Sequence, residues 1–136
     1  MVKKISWITH PKYDIPLPKN HRFTSSKFSD LHKELKSRDF YRNAVILRPN
    51  KASVNDLEIV HNREYILKIK DGSLSEKENR RLGFKWSEIL SNRSFLAVNG
   101  TLLTCKEALR NKIACHLAGG THHAHKSFGS GYCVFN

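Results

Sequence analysis

Three short runs of branched and apolar residues limit what this chain can fold into. Residues 3–9 (KKISWIT), Ala44–Leu47 (AVIL) and residues 113–118 (IACHLA) each have the length and composition of a strand. Long stretches with helical periodicity separate them. Strands joined through a helix cannot return as a hairpin, so they pair in parallel. The expected class is α/β: a parallel sheet with flanking helices.

The segments between the strands carry their own punctuation. Pro11, Pro16 and Pro18 make residues 10–22 an extended loop. Ser25 or Ser26 is placed to cap a helix whose apolar face is Phe28, Leu31 and Leu35. Ser53 followed by Asp56 predicts a short capped helix running through Ile59 and Val60, and Asn62 a second one with Tyr65, Ile66 and Ile69 on one face, stopped at Asp71-Gly72. Ser75-Glu76-Lys77-Glu78 is a capping box, and Gly83 closes that turn. The longest helix is predicted over residues 87–110, with Phe95, Val98, Leu102 and Leu109 repeating along it. Gly100 within it costs up to about 1 kcal/mol relative to Ala, so a local packing reason is expected. The run at 113–118 reads as a buried strand that leads directly into Gly119-Gly120.

Composition narrows the function. The chain has 136 residues, the size of one domain. Lys and Arg number 24 against 12 for Asp and Glu, a net charge of +12. The ratio is two to one in both halves, and no run reaches the five or more like charges of a basic arm. A Lys-rich solvated surface accounts for this; the alternative is a small basic nucleic-acid-binding protein. No apolar stretch is long enough to span a membrane, and the start lacks a secretory signal, so the expected location is cytoplasmic. Cys105, Cys115 and Cys133 form no C-x-x-C pair and no even set. They are expected to be reduced, small buried side chains. The chain closes on the apolar run Gly131-Tyr132-Cys133-Val134-Phe135-Asn136, where an exposed terminus would ordinarily be polar.

The segment from residue 117 onward concentrates the chemistry. Ligands in open α/β sheets bind beyond the carboxyl ends of strands, and this loop leaves such an end. Gly119 and Gly120 allow close approach of the backbone to a substrate. His122 and His123 follow at once, and imidazole is suited to moving protons near pH 7. A strand–Gly-Gly–x–His-His loop is thus a candidate acid/base or metal site. Metal binding has the weaker case, because Cys115, His116, His122, His123, His125 and Cys133 match no zinc-finger spacing.

The loop Gly119-Gly120-Thr121-His122-His123-Ala124, followed by Gly129-Ser130-Gly131-Tyr132-Cys133-Val134-Phe135-Asn136, closely resembles the histone deacetylase superfamily, where GG-x-HHA precedes a GFC-Y/F-ND segment. Further stretches resemble it in collinear order, on the pattern of bacterial proteins related to the class IV branch. They are His10-Pro11-Lys12-Tyr13-Asp14-Ile15-Pro16-Leu17-Pro18 with His21-Arg22-Phe23, Leu57 to His61 with Tyr65-Ile66, Arg80 to Ser87, and Asn99-Gly100-Thr101. The resemblance implies the N-terminal portion of an arginase/deacetylase-like three-layer fold, with an incomplete parallel sheet, spanning residues 1–136.

It also implies a zinc-dependent amide hydrolase acting on an acetyl-lysine or a related acylated amine, in which the metal polarises the carbonyl and activates a water. His122 and His123 fall on the family's catalytic pair, neither of them a zinc ligand. Gly120, Gly131 and Tyr132 fall on its substrate channel, with Tyr in place of the commoner Phe. The family's metal ligands and the acidic partners of the histidines would lie beyond Asn136. On this reading no metal is held by this chain alone, the chain alone is inactive, and a separately encoded C-terminal half is an expected partner. The exposed edge of the strand at 113–118 would be where that partner adds.

Overall fold

The computed structural model describes residues 4–136. The elements in chain order are β1 (Ile5–Ile8), α1 (Lys27–Ser37), β2 (Ala44–Leu47), α2 (Val54–Glu58), α3 (Arg63–Asp71), α4 (Glu76–Leu82), α5 (Glu88–Asn111) and β3 (Ala114–His116). Lys3, included in the first predicted strand, lies outside the described residues. The sheet has the order β2-β1-β3, and both pairings are parallel, with Ile5 opposite Ala44 and Ser6 opposite Ala114. The β–α–β order thus yields the parallel α/β sheet with flanking helices that it predicts.

Alternation along β1 divides the sheet into two faces. Ser6 and Ile8 are buried, while Ile5 and Trp7 are half-buried. Helix α5 covers the first face, where Ser6 Oγ donates to Glu107 Oε2 at 2.7 Å. On the second face the Trp7 ring meets Tyr41 edge-on at 5.6 Å. Most of the core lies beside the sheet, where Leu57, Ile66, Ile69, Leu82 and Phe95 pack against Phe135. The apolar end of the sequence is therefore part of the core: Cys133, Val134 and Phe135 are all buried.

Several local expectations are revised. Ser26 makes no side-chain cap to α1, its backbone being helical (φ −90°, ψ 0°) rather than extended as at Ser53 and Ser75, and Asn62 makes none to α3. Helix α2 ends at Glu58, leaving Ile59 86% and Val60 47% exposed. Strand β3 is shorter than predicted and only half-buried, with nothing beyond it in the described sheet. Leu31 on α1 is exposed. On α5 Phe95 is buried, but Leu109 is 88% exposed. The helix turns its Gly100, Thr104 and Glu107 side toward the polar partners under β1 and β3, which points Leu102 and Leu109 outward. Of the cysteines, only Cys133 is buried; Cys115 is intermediate and Cys105 exposed. No helix among the described residues is long and apolar enough to cross a membrane.

Candidate active site

The histidine loop is positioned from both ends. It leaves β3 with Leu117 N–H donating to Ile8 O at 2.9 Å, then turns at Gly119, whose φ of +66° suits glycine. Its far end folds back against its beginning. The Asn136 side chain clamps the Ala124 backbone twice: Oδ1 accepts from Ala124 N–H at 3.0 Å, and Nδ2 donates to Ala124 O at 2.7 Å. The Thr121 hydroxyl donates to Phe135 O.

His61 joins this closure to the helical layer. Its Nε2 accepts from Asn136 N–H at 3.0 Å, which obliges Nδ1 to carry the proton that it donates to His125 O at 2.9 Å. Burial lowers the His61 pKa, against the opposing pull of the backbone hydrogen bonds. The Tyr65 hydroxyl adds a bond to Val134 O at 2.5 Å, and Asn62 N–H one to Lys126 O at 2.8 Å. A segment with little regular structure is thereby fixed by the side chains of His61 and Tyr65 and the backbone of Asn62.

On this frame the predicted pair stands together. His122 and His123 are both exposed, with ring centroids 4.2 Å apart and planes at 44°. Gly131 lies against His123: a Cβ there would sit 3.1 Å from His123 Cβ, at a φ of +54° that favours glycine. Tyr132 also takes a left-handed backbone, φ 64°, held by its N–H donating to Leu82 O at 2.9 Å. Its ring packs with Phe84 at 5.2 Å, His21 at 5.5 Å and Phe23 at 5.9 Å. That ring also explains Gly83, where a Cβ would lie 2.6 Å from Tyr132 Cε1.

Next to the loop lies a cavity of about 260 Å³. Gly120 and Tyr132 line it; His122, His123 and Gly131 do not. The missing side chains of Gly119 and Gly120 leave open space, since a Cβ at either would meet nothing within 4 Å. Neither histidine of the pair has a carboxylate at ion-pairing distance among the described residues.

A second polar cluster joins Tyr13, His116 and Arg93, and the sequence marks Tyr13, His116 and Gly100 without bringing them together. The Tyr13 hydroxyl and His116 Nε2 are 2.8 Å apart, and Arg93 Nε–H donates to Tyr13 O at 2.9 Å. The Arg93 guanidinium lies over the Phe28 ring at 4.6 Å. Burial, and next the Arg93 charge, bring the His116 pKa down to about 4. It is therefore neutral, and Nε2 accepts from the tyrosine when Nδ1–H faces Thr101 Oγ1, 3.3 Å away. Gly100 passes directly beneath this pair: a Cβ there would overlap both His116 Nε2 and Tyr13 Oη. This is the packing reason for a glycine in mid-helix. The sequence marks His61 only through the resemblance of the Leu57 to His61 stretch, and His116 only as a lone imidazole in the apolar run at 113–118.

Among the described residues no group of three or more His, Cys, Asp or Glu is placed to hold a metal ion. The described residues do not fit a zinc site.

Comparison with known proteins identifies relatives. A model of the histone deacetylase domain matches residues 21–136. An uncharacterized protein of Picosynechococcus is 39% identical over 129 residues, covering 95% of this chain and 43% of its own length. Histone deacetylase 2 of Arabidopsis thaliana is 30% identical over 143 residues, covering 98% of this chain and 37% of its own. Among solved structures, the HDA15 HD domain superposes with a TM-score of 0.76 at 11% identity, over 99% of this chain and 41% of that one, a likeness of fold. The chain spans about two-fifths of the length of these relatives. They favour a deacetylase-like domain over a small nucleic-acid-binding protein.

Proposed function

Because this chain belongs to the histone deacetylase family, corresponding to an N-terminal region of its domain, we propose that it supplies the proton-transfer half of a zinc-dependent deacylase. The substrate class is an acetyl-lysine or a related acylated amine. The observation that carries this reading is the adjacent, exposed His122 and His123, with His123 against Gly131 and with Gly120 and Tyr132 on the cavity beside them.

In amide hydrolysis a water oxygen bonds to the acyl carbon and the carbon–nitrogen bond breaks. The water must lose a proton, and the departing amine must gain one. Two neighbouring imidazoles at ordinary working pH can perform both transfers, one as base and one as acid. Gly120 leaves backbone room for the acyl group, and the Tyr132 ring offers an apolar wall to the methylenes of a lysine side chain. The zinc belongs to the complete domain, with ligands from outside this chain, so this chain alone is proposed to be inactive. A cytoplasmic location forms part of the same reading and is open to fractionation.

The test is complementation. This chain is co-expressed with the portion of the Picosynechococcus relative that it does not match, and turnover of an acetylated-lysine peptide is measured. Turnover is expected from the pair and not from either part. His122→Ala combined with His123→Ala should lower it by at least about a hundredfold. Undiminished turnover in that variant overturns the assigned roles.

A further inference from the structure

The Tyr132 ring, part of the cavity wall, is seated by a segment far away in sequence, and His21 makes the connection. His21 Nδ1 accepts the Phe23 N–H at 3.0 Å, so the ring proton is on Nε2, which donates to Gly83 O at 3.0 Å. The imidazole stacks on Phe84, centroids 5.5 Å apart at 27°, and meets Tyr132 edge-on at 5.5 Å and 70°. Its own backbone is tied down, His21 N–H donating to Pro18 O at 2.9 Å.

Gly83 is the residue through which this bond can act on Tyr132. It closes α4 at a φ of +89°, and the Tyr132 ring occupies the place of its absent side chain. Two successive carbonyls of the turn are used: Leu82 O accepts from Tyr132 N–H, and Gly83 O accepts from His21. Tyr132 needs such support, because a residue with a side chain persists in the left-handed region only where its surroundings over-determine it. Packing alone does not call for an imidazole at position 21. Its neighbours Phe23 and Phe84 are plain rings, edge-on at 5.3 Å. What sets His21 apart is a pair of directed hydrogen bonds, which fix both its tautomer and the position of the turn.

Building on the functional reading above, we propose that His21 is the positioning residue of the acyl-lysine site: its bond to Gly83 O holds the seat of the Tyr132 ring, and thereby the wall that the lysine methylenes meet. It acts through Tyr132 and takes no part in the proton transfers of His122 and His123. Loss of the bond weakens substrate binding and spares the chemical step.

Three variants separate the bond from the packing. His21→Gln keeps an N–H of similar reach toward Gly83 O. His21→Phe keeps a ring and loses both bonds. His21→Asn keeps an acceptor for the N–H two residues on and is too short for Gly83 O. The nuclear Overhauser contact between Gly83 Hα and the Tyr132 ring reads the seat directly in this chain. Parent and His21→Gln should show it, and His21→Phe and His21→Asn should lose it. A contact that survives in the Phe and Asn variants, or vanishes in the Gln variant, overturns the proposal, because packing and not the bond would then seat the ring. In the complemented pair, KM for the acetylated-lysine peptide should rise at least about threefold in the Phe and Asn variants with kcat within about twofold of the parent, and the Gln variant should match the parent. A fall in kcat at constant KM would overturn it as well. Absence of turnover from the parent pair would sink the functional reading, and the Gly83–Tyr132 contact would still decide the role of His21.

Discussion

His61 uses both ring nitrogens on backbone groups of the histidine loop, so its loss orphans a carbonyl and an amide together. His61→Ala should cost about 2–4 kcal/mol in urea denaturation, the sum of two unmade bonds and a cavity. Gly100→Ala reverses the usual helix rule. Propensity predicts a gain, yet the new methyl would drive apart Tyr13 and His116; a net loss of about 1–3 kcal/mol is expected, with a lower melting temperature. His116 also predicts a pH dependence. Its folded pKa, about 4, lies below the ordinary 6.5, so between those values the unfolded chain binds the extra proton. Stability from this group is full above pH 6.5 and falls as the pH drops toward 4, by up to about 1.4 kcal/mol per pH unit for one proton. His116→Gln should flatten that part of the stability–pH curve relative to the parent chain. The sequence shows Gly100 as an anomaly because helix propensity is local. The partners of His61 and His116 depend on chain segments far away, and no local rule gives them.

At the scale of elements, local chemistry reads well where the signal is reciprocal. The boxes at Ser53/Asp56 and Ser75/Glu78 are both formed, and Gly72 and Gly83 close their helices in the left-handed region, as their sequences predict. Ser75→Ala should therefore destabilise by about 1 kcal/mol, seen as a lower urea midpoint with unchanged slope. Single-residue signals are weaker: Ser26 takes a helical backbone conformation and makes no side-chain cap, and neither does Asn62. The face of α5 was legible only in part: its apolar spacing marks Phe95 and Val98 correctly and carries Leu109 with them into solvent. Periodicity identifies a stripe, but where the helix overhangs its neighbours nothing covers the stripe.

For the whole molecule, the charge is the largest feature that folding must tolerate. With +12 spread along both halves, self-repulsion opposes compaction and salt screens it. The melting temperature should rise between 20 and 200 mM NaCl; a fall would mean that the surface ion pairs outweigh the repulsion. The fold class and the loop bearing His122 and His123 were legible because both rest on contiguous residues. The cavity, assembled from α2, α5 and the last residues of the chain, was not. The strand order has a temporal consequence. β1 lies in the middle of the described sheet and is made well before β3, so Ser6 finds its partner Ala114 only after about a hundred more residues have been added. A nascent chain must therefore hold one edge of β1 unpaired until β3 has been made, and closing so distant a contact makes this pairing late and slow.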